Sequence, residues 1–169
     1  SFKMMNEYYG GKCKVVGMDN GSQLNCTSNT YSNFEIFVGD QGSLNDLTEI
    51  TNYYPKFDII VDDGSHFVNH KQFCFGVLFK FISSGGIYII EDLNTSFHEY
   101  YNPENIVTTF DFVTKLKNKE NPKSKYLTDD IFSSYITEIE SVEIARTVCK
   151  NEDGSYCKDD SITSIIKKK

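Results

Sequence analysis

The run Asp62-Asp63-Gly64-Ser65-His66 places two carboxylates and an imidazole close together in the chain. Carboxylates hold hard divalent cations through oxygen. A histidine titrates near neutral pH and can take a proton from a reacting group. A second acidic pair, Glu91-Asp92, stands farther along. Each acidic group follows abruptly on an apolar run, Ile59-Ile60-Val61 in the first case and Ile87-Tyr88-Ile89-Ile90 in the second. A short apolar run bounded by turn signals reads as a buried strand. In open α/β sheets, ligands sit just outside the carboxyl ends of the strands. The two runs therefore predict neighbouring parallel strands whose ends build one site. A single acid after a strand also has an ordinary use, capping the next helix or facing solvent. The four acids together with His66 are what point to chemistry.

These strands need elements to position them. Lys14 to Met18 reads as a strand ending at Asp19, and Phe34 to Val38 as another ending at Gly39-Asp40-Gln41. Ser43 is placed to cap a helix through Ile50. The spacing of Phe73, Val77, Leu78 and Phe81 predicts a helix over Val68 to Ile82, closed by Ser83-Ser84-Gly85-Gly86. Tyr88 and Phe37 are expected in the core. Strand–helix alternation of this kind implies βαβ units with right-handed crossovers and a mostly parallel sheet. Phe2 to Tyr9 has helical character up to Gly10-Gly11, and Asn20 to Asn33 reads as a loop. Beyond Asp92, Pro103 suits the first turn of a helix reaching Lys119. Tyr135–Ile139 and Val142–Thr147 read as two strands joined at Glu140-Ser141, an antiparallel hairpin added to the sheet. The expected organisation is one domain over 1–150 and a polar tail over 151–169, with no internal repeat. The fold class expected is α/β, a Rossmann-like three-layer sandwich.

Composition removes several functions. At 169 residues the chain can bury a real core. Its net charge of −7 argues against a nucleic-acid surface, which needs a basic stripe. Lys167-Lys168-Lys169 reads as a solvated basic end. No run approaches the roughly 18 apolar residues of a membrane-spanning helix, and no signal-peptide pattern opens the chain. The five cysteines are scattered and none forms a CxxC pair. This usage suits reduced thiols in a cytoplasmic protein, with a Cys149–Cys157 disulfide as the alternative. His66 and His70 have the i, i+4 spacing of helical zinc ligands, but the pair straddles the expected helix start.

The succession Gly17-Met18-Asp19, Val38-Gly39-Asp40-Gln41, Asp62-Asp63-Gly64-Ser65-His66 and Gly85-Gly86-Ile87-Tyr88-Ile89-Ile90-Glu91-Asp92 resembles class I S-adenosylmethionine-dependent methyltransferases. Within them it is most similar to the metal-dependent sugar O-methyltransferases of the macrocin and mycinamicin type. The resemblance covers roughly Ser1 to Phe97 and, more loosely, the terminal hairpin. It implies that Asp19 accepts hydrogen bonds from the cofactor ribose and that Asp40, with Gln41 beside it, sits by the adenine. It places Asp62 near the cofactor's methionine end. It implies that Asp63, Glu91 and Asp92 hold Mg²⁺ or another divalent cation, with His66 as the base. The acceptor implied is a hydroxyl of a sugar or glycosylated small molecule. The aromatic segment Thr95-Ser96-Phe97-His98-Glu99-Tyr100-Tyr101 follows the acidic strand end and is a candidate to cover it, with ordinary loop packing as the alternative. Neither a nucleic acid nor a membrane is an expected partner, and a homo-oligomer stays open because related enzymes use subunit contacts in their sites.

The family's glycine-rich loop and first strand would precede Ser1. That strand belongs between those at Lys14 and Asp58, and without it the sheet would carry two unpaired edges. Residues upstream are therefore expected. Two alternatives remain at this stage. One is a non-catalytic domain that keeps the fold. The other is a nicotinamide-dependent oxidoreductase, in which Asp19 binds the ribose. The latter gives no reason for acids at the two later strand ends.

Overall fold

The computed structural model describes residues 7–21, 33–147 and 161–169. They divide into two compact units, Ser1–Tyr53 and Tyr54–Lys169. Of the helix expected over Phe2–Tyr9, only its end is described, and Glu7 and Tyr8 are helical. Most of the Asn20–Asn33 loop lies outside the described residues.

In the first unit, β1 (Val15–Asp19) and β2 (Phe34–Val38) pair in parallel, from Val15 opposite Phe34 to Asp19 opposite Val38. Helix α1 (Leu44–Tyr53) follows. Ser43 caps it, its hydroxyl accepting from the Asp46 amide at 3.4 Å. Leu47 and Ile50 form its buried face. Phe37 is only half-buried, its ring tilted against Tyr53 with centroids 5.6 Å apart.

The second unit holds a four-stranded sheet in the order β3-β4-β6-β5, from β3 (Phe57–Asp62), β4 (Ile82–Ile90), β5 (Ile139–Thr147) and β6 (Ser161–Lys168). β3 and β4 are adjacent and parallel, as expected, in register from Ile59 opposite Ile87 to Asp62 opposite Ile90. The sheet is nevertheless mixed, not mostly parallel. β6 runs antiparallel to both β4 and β5, so only one of its three strand pairings is parallel. The four strands read from sequence also do not share one sheet, since β1 and β2 form their own two-stranded sheet.

Helix α2 (Val68–Leu78) crosses from β3 towards β4 and passes through a 3-10 turn at Phe79–Phe81. It ends earlier than its apolar spacing predicts, and β4 starts at Ile82. Ser83 to Gly86 belong to that strand. Gly85 takes a φ of 78° there, and a Cβ on Gly86 would stand 2.7 Å from the Asp58 carbonyl. Glycine in a strand interior marks such a close backbone approach.

Three further expectations fail for physical reasons. The helix placed from Pro103 begins instead at Thr109 (α3, Thr109–Lys117). Thr108 and Asp111 build a reciprocal cap there: the Thr108 hydroxyl accepts from the Asp111 amide at 3.0 Å and donates to its carboxylate at 2.8 Å. The supposed strand Tyr135–Ile139 is mostly helical, the end of α4 (Asp129–Glu138). Thr128 caps α4, two aspartates fill its first turn, and Glu140-Ser141 lies inside the single strand β5. Finally, the polar tail over 151–169 contains β6, an internal strand of the sheet. Ile166 and Ser164 are fully buried there. The terminal lysines are tied down as well, Lys167 to Glu140 at 2.9 Å and Lys168 to Glu138 at 2.7 Å.

The core of this unit packs Phe75 of α2 and Phe79 of the 3-10 turn after it against Tyr88 and Ile90 of β4, Phe112 of α3 and Tyr135 of α4. No helix among the described residues is long and apolar enough to cross a membrane. Among the described residues, Cys13 and Cys74 form no disulfide. Cys26, Cys149 and Cys157 lie outside the described residues, and the alternative disulfide with them.

Candidate active site

The register of β3 against β4 decides what meets beyond their ends. Asp62 sits opposite Ile90, and the Glu91 amide donates to the Asp62 carbonyl at 3.1 Å. Asp63, Glu91 and Asp92 therefore leave the sheet side by side. Two residues then take left-handed backbone conformations: His66 with φ 63° and Asp92 with φ 48°. Outside glycine this region is uncommon, and such strain gathers at functional sites. One ligand atom from each of Asp63, His66 and Asp92 lies within 4.8 Å of the others.

Within this group His66 Nε2 stands 3.9 Å from Asp92 Oδ2. That is too long for a hydrogen bond. His66 Nδ1 is buried and finds no hydrogen-bond partner among the described residues. The other Asp92 oxygen, Oδ1, accepts from the Ser161 hydroxyl at 2.8 Å, so β6 braces the carboxylate from the far end of the chain. Asp63 is exposed and Asp62 is buried beneath it. Tyr88 is fully buried beside Asp62, and its phenol is pushed up, first by desolvation and then by the Asp62 charge.

Glu91 is not in the close group of three. Its carboxyl is nonetheless pushed up, by desolvation first and then by Asp63 and Asp92, with Lys71 opposing. Like charges crowded at one strand end repel, and a raised carboxyl is the result.

Lys71 went unremarked in the sequence. Its side chain is fully buried. Its ammonium donates to the Glu91 carbonyl at 2.6 Å and the Asp92 carbonyl at 2.9 Å, with Thr95 Oγ1 at 3.4 Å. Desolvation lowers its pKa while Asp62, Asp92, Asp63 and Glu91 raise it. A signal was available: Lys71 falls on the same helical stripe as Val68 and Phe75. Ser161 left no such signal.

His70 does not join the group. Its Nδ1 lies 2.9 Å from Ser65 Oγ and its ring packs on Phe67. The zinc alternative therefore has no geometry behind it among the described residues. Aromatic rings do flank His66. Tyr101 meets it edge-on with centroids 6.1 Å apart, and Phe67 and Tyr100 continue the patch. Tyr100 is largely exposed.

The cofactor residues expected in the first unit lie at the carboxyl edge of its own sheet. Asp19 ends β1, and its Oδ1 accepts from the Gly21 amide at 2.8 Å. The Asp40 carboxylate accepts from the Gly42 amide at 2.8 Å, and the Asp40 amide donates to Asp46 Oδ2 at 2.7 Å. Gln41 follows in the same turn.

The residues present fit a divalent cation. Two carboxylates converge from adjacent strand ends with a third beside them, an oxygen set of the kind magnesium favours. His66 cannot both ligate through Nε2 and take a proton there. A cation that prefers oxygen leaves the imidazole free as a base.

Comparison with known proteins finds similar sequences. The demethylmacrocin O-methyltransferase of Streptomyces fradiae is 47% identical over 60 residues, 36% of this chain and 15% of that enzyme. The mycinamicin VI 2''-O-methyltransferase of Micromonospora griseorubida is 42% identical over 59 residues, 35% of this chain and 15% of that enzyme.

The chain resembles sugar O-methyltransferases.

The likeness extends to the fold of the MycE methyltransferase from the mycinamycin biosynthetic pathway, solved with Mg and SAH. That match has a TM-score of 0.70 at 20% identity and covers 99% of this chain and 39% of that one. A SAM-dependent methyltransferase from Anabaena variabilis matches with a TM-score of 0.54 at 17% identity, over 99% of this chain and 72% of that one. The fold is thus a mixed α/β methyltransferase fold. The segments shared with these two O-methyltransferases span about a seventh of their length. No family model matches the chain.

Proposed function

We propose that this chain carries the chemistry of an S-adenosylmethionine-dependent, metal-assisted O-methyltransferase acting on a sugar hydroxyl of a glycosylated small molecule. The observation that carries this reading is the convergence of Asp63, His66 and Asp92 beyond the parallel β3–β4 pair. The matched relatives are named as O-methyltransferases of demethylmacrocin and mycinamicin VI, which supports the same reaction class here.

Methyl transfer to an alcohol is an in-line displacement. The sulfonium carbon–sulfur bond breaks, its electron pair stays on sulfur, and a carbon–oxygen bond forms. The hydroxyl proton must leave, and an alcohol holds it far above neutral pH. A divalent cation, when bound, lowers that pKa and orients the oxygen. In the proposed roles Asp63, Glu91 and Asp92 hold the cation. His66 Nε2 takes the proton, from the gap of 3.9 Å that separates it from Asp92. The Asp92 brace from Ser161 fixes the carboxylate's orientation. The exposed ring of Tyr100, with Phe67 and Tyr101 behind it, offers the acceptor sugar a face to pack on.

Asp19 and Asp40 with Gln41 are proposed to bind the cofactor ribose and adenine, and Asp62 its methionine end. The complete protein is proposed to hold a Rossmann-like three-layer domain that includes β6. A cytoplasmic setting is proposed from the scattered cysteines, none of them in a CxxC pair. Neither nucleic acid nor membrane is a proposed partner, and a homo-oligomer is compatible with the reading. Calorimetry with S-adenosylmethionine on the full-length protein, with and without Mg²⁺, tests the function. Binding of both is the expected result, and binding of neither rejects the reading.

A further inference from the structure

The acidic strand ends carry a feature that the proposed reaction does not use. Lys71 lies on α2, with its side chain wholly inside the protein. Burying an ammonium is costly unless it is hydrogen-bonded and its charge is balanced. Its three protons find three oxygens, the carbonyls of Glu91 and Asp92 and the hydroxyl of Thr95. None of these is a side-chain carboxylate. The lysine grips the backbone of the turn that carries the acids. Thr95 extends the grip: its Oγ1 lies 2.7 Å from the Asp92 carbonyl and 3.4 Å from that of His66. One small network thus reaches the carbonyls of both left-handed site residues, Asp92 at φ 48° and His66 at φ 63°. Strained conformations persist only where surrounding structure fixes them.

We propose that Lys71 is a positioning residue: by holding the Glu91 and Asp92 carbonyls, and through Thr95 the His66 carbonyl, it sets the two left-handed bends that aim Asp92 and His66 at Asp63. This rests on the reading of Asp63 and Asp92 as cation ligands. It has a consequence of unusual sign. Removing a positive charge beside a cation site should tighten cation binding by Coulomb's law alone. Removing a positioning group should weaken it, and outer groups that orient ligands typically contribute about 10–100-fold in metal affinity.

The test is Mg²⁺ calorimetry on the full chain and on Lys71→Met, whose side chain is of similar length and carries no charge. Circular dichroism checks that the variant is folded. The expected result is a loss of affinity of roughly tenfold or more. Unchanged or tighter binding overturns the proposal, and a role confined to core packing predicts unchanged binding with a lower unfolding temperature. Should Lys71→Met not fold, Thr95→Val takes its place. A weaker Mg²⁺ affinity in that variant supports the network, and a parental affinity overturns it. If the parental chain itself binds no Mg²⁺, the cation reading fails separately. The imidazole resonances of His66 in the metal-free chain then decide the positioning role. A shift between parent and Lys71→Met supports it, and coincident resonances overturn it.

Discussion

Two pairs of parallel strands in this chain end in acids, and the two ends behave differently. Beyond β1 and β2, Asp19 and Asp40 each turn a carboxylate oxygen onto an amide two residues ahead, at Gly21 and Gly42. These are local turns that any aspartate after a strand can make. Beyond β3 and β4, two carboxylates and an imidazole converge with Glu91 beside them, and two backbones bend into the left-handed region. A lysine is buried beneath them, and a serine from the last strand braces one acid. The comparison teaches that an acid at a strand end marks a place, not a chemistry. Crowding of like charge, backbone strain and buried support separate the second end from the first.

The largest effect expected is on turnover. Chelating divalent cations from the full-length protein should suppress methyl transfer by on the order of 10³-fold or more, since a cation contributes several kcal/mol to such a step. Cofactor affinity measured in parallel should change little. Equal loss of both would place the cation at the wrong strand end.

Thermal unfolding with and without Mg²⁺ sharpens the contrast. At a Mg²⁺ concentration of 100 times its Kd, the parental chain gains about 2.7 kcal/mol. Asp63→Asn should abolish that gain, and Asp40→Asn should leave it whole. The reverse pattern would break the comparison outright.

A smaller effect concerns the core beneath the site. Burial pushes the Tyr135 phenol up to about 12. A group held protonated in the fold stabilises it fully below the unfolded pKa of about 10, and that stability is lost as pH rises through about 12. Its hydroxyl also donates to the Gly76 carbonyl at 2.9 Å. Tyr135→Phe should therefore cost about 1 kcal/mol at neutral pH. It should also flatten the fall in unfolding temperature above about pH 10. Parallel curves for parent and variant would remove the burial argument.

Much of the second strand end was legible in the sequence because apolar runs stop sharply at acids. Ile59 to Val61 and Ile87 to Ile90 contain no breaker, so their pairing and the convergence of Asp63 with Asp92 followed from pattern alone. The support was not legible. β6 dilutes Ile162, Ile165 and Ile166 among serine, threonine and lysine. It becomes a strand only through non-local pairing with β4 and β5, a context that overrides local propensity. Ser161 was hidden with it. Lys71 shares a helical stripe with Val68 and Phe75, which marks it as inward-facing, but composition does not say that the oxygens it meets lie in a turn far along the chain. At Pro103 a permissive start signal was outweighed by the stronger cap at Thr108.

The central claim is that the β3–β4 end is where the reaction occurs and that His66 takes the proton. Single-turnover methyl transfer by full-length His66→Ala, paired with calorimetry of S-adenosylmethionine, tests it most directly. The account predicts a rate loss of about 10²–10⁴-fold with cofactor affinity unchanged. A variant that methylates at the parental rate would contradict it, leaving Asp62 to His66 a well-packed turn with no part in catalysis.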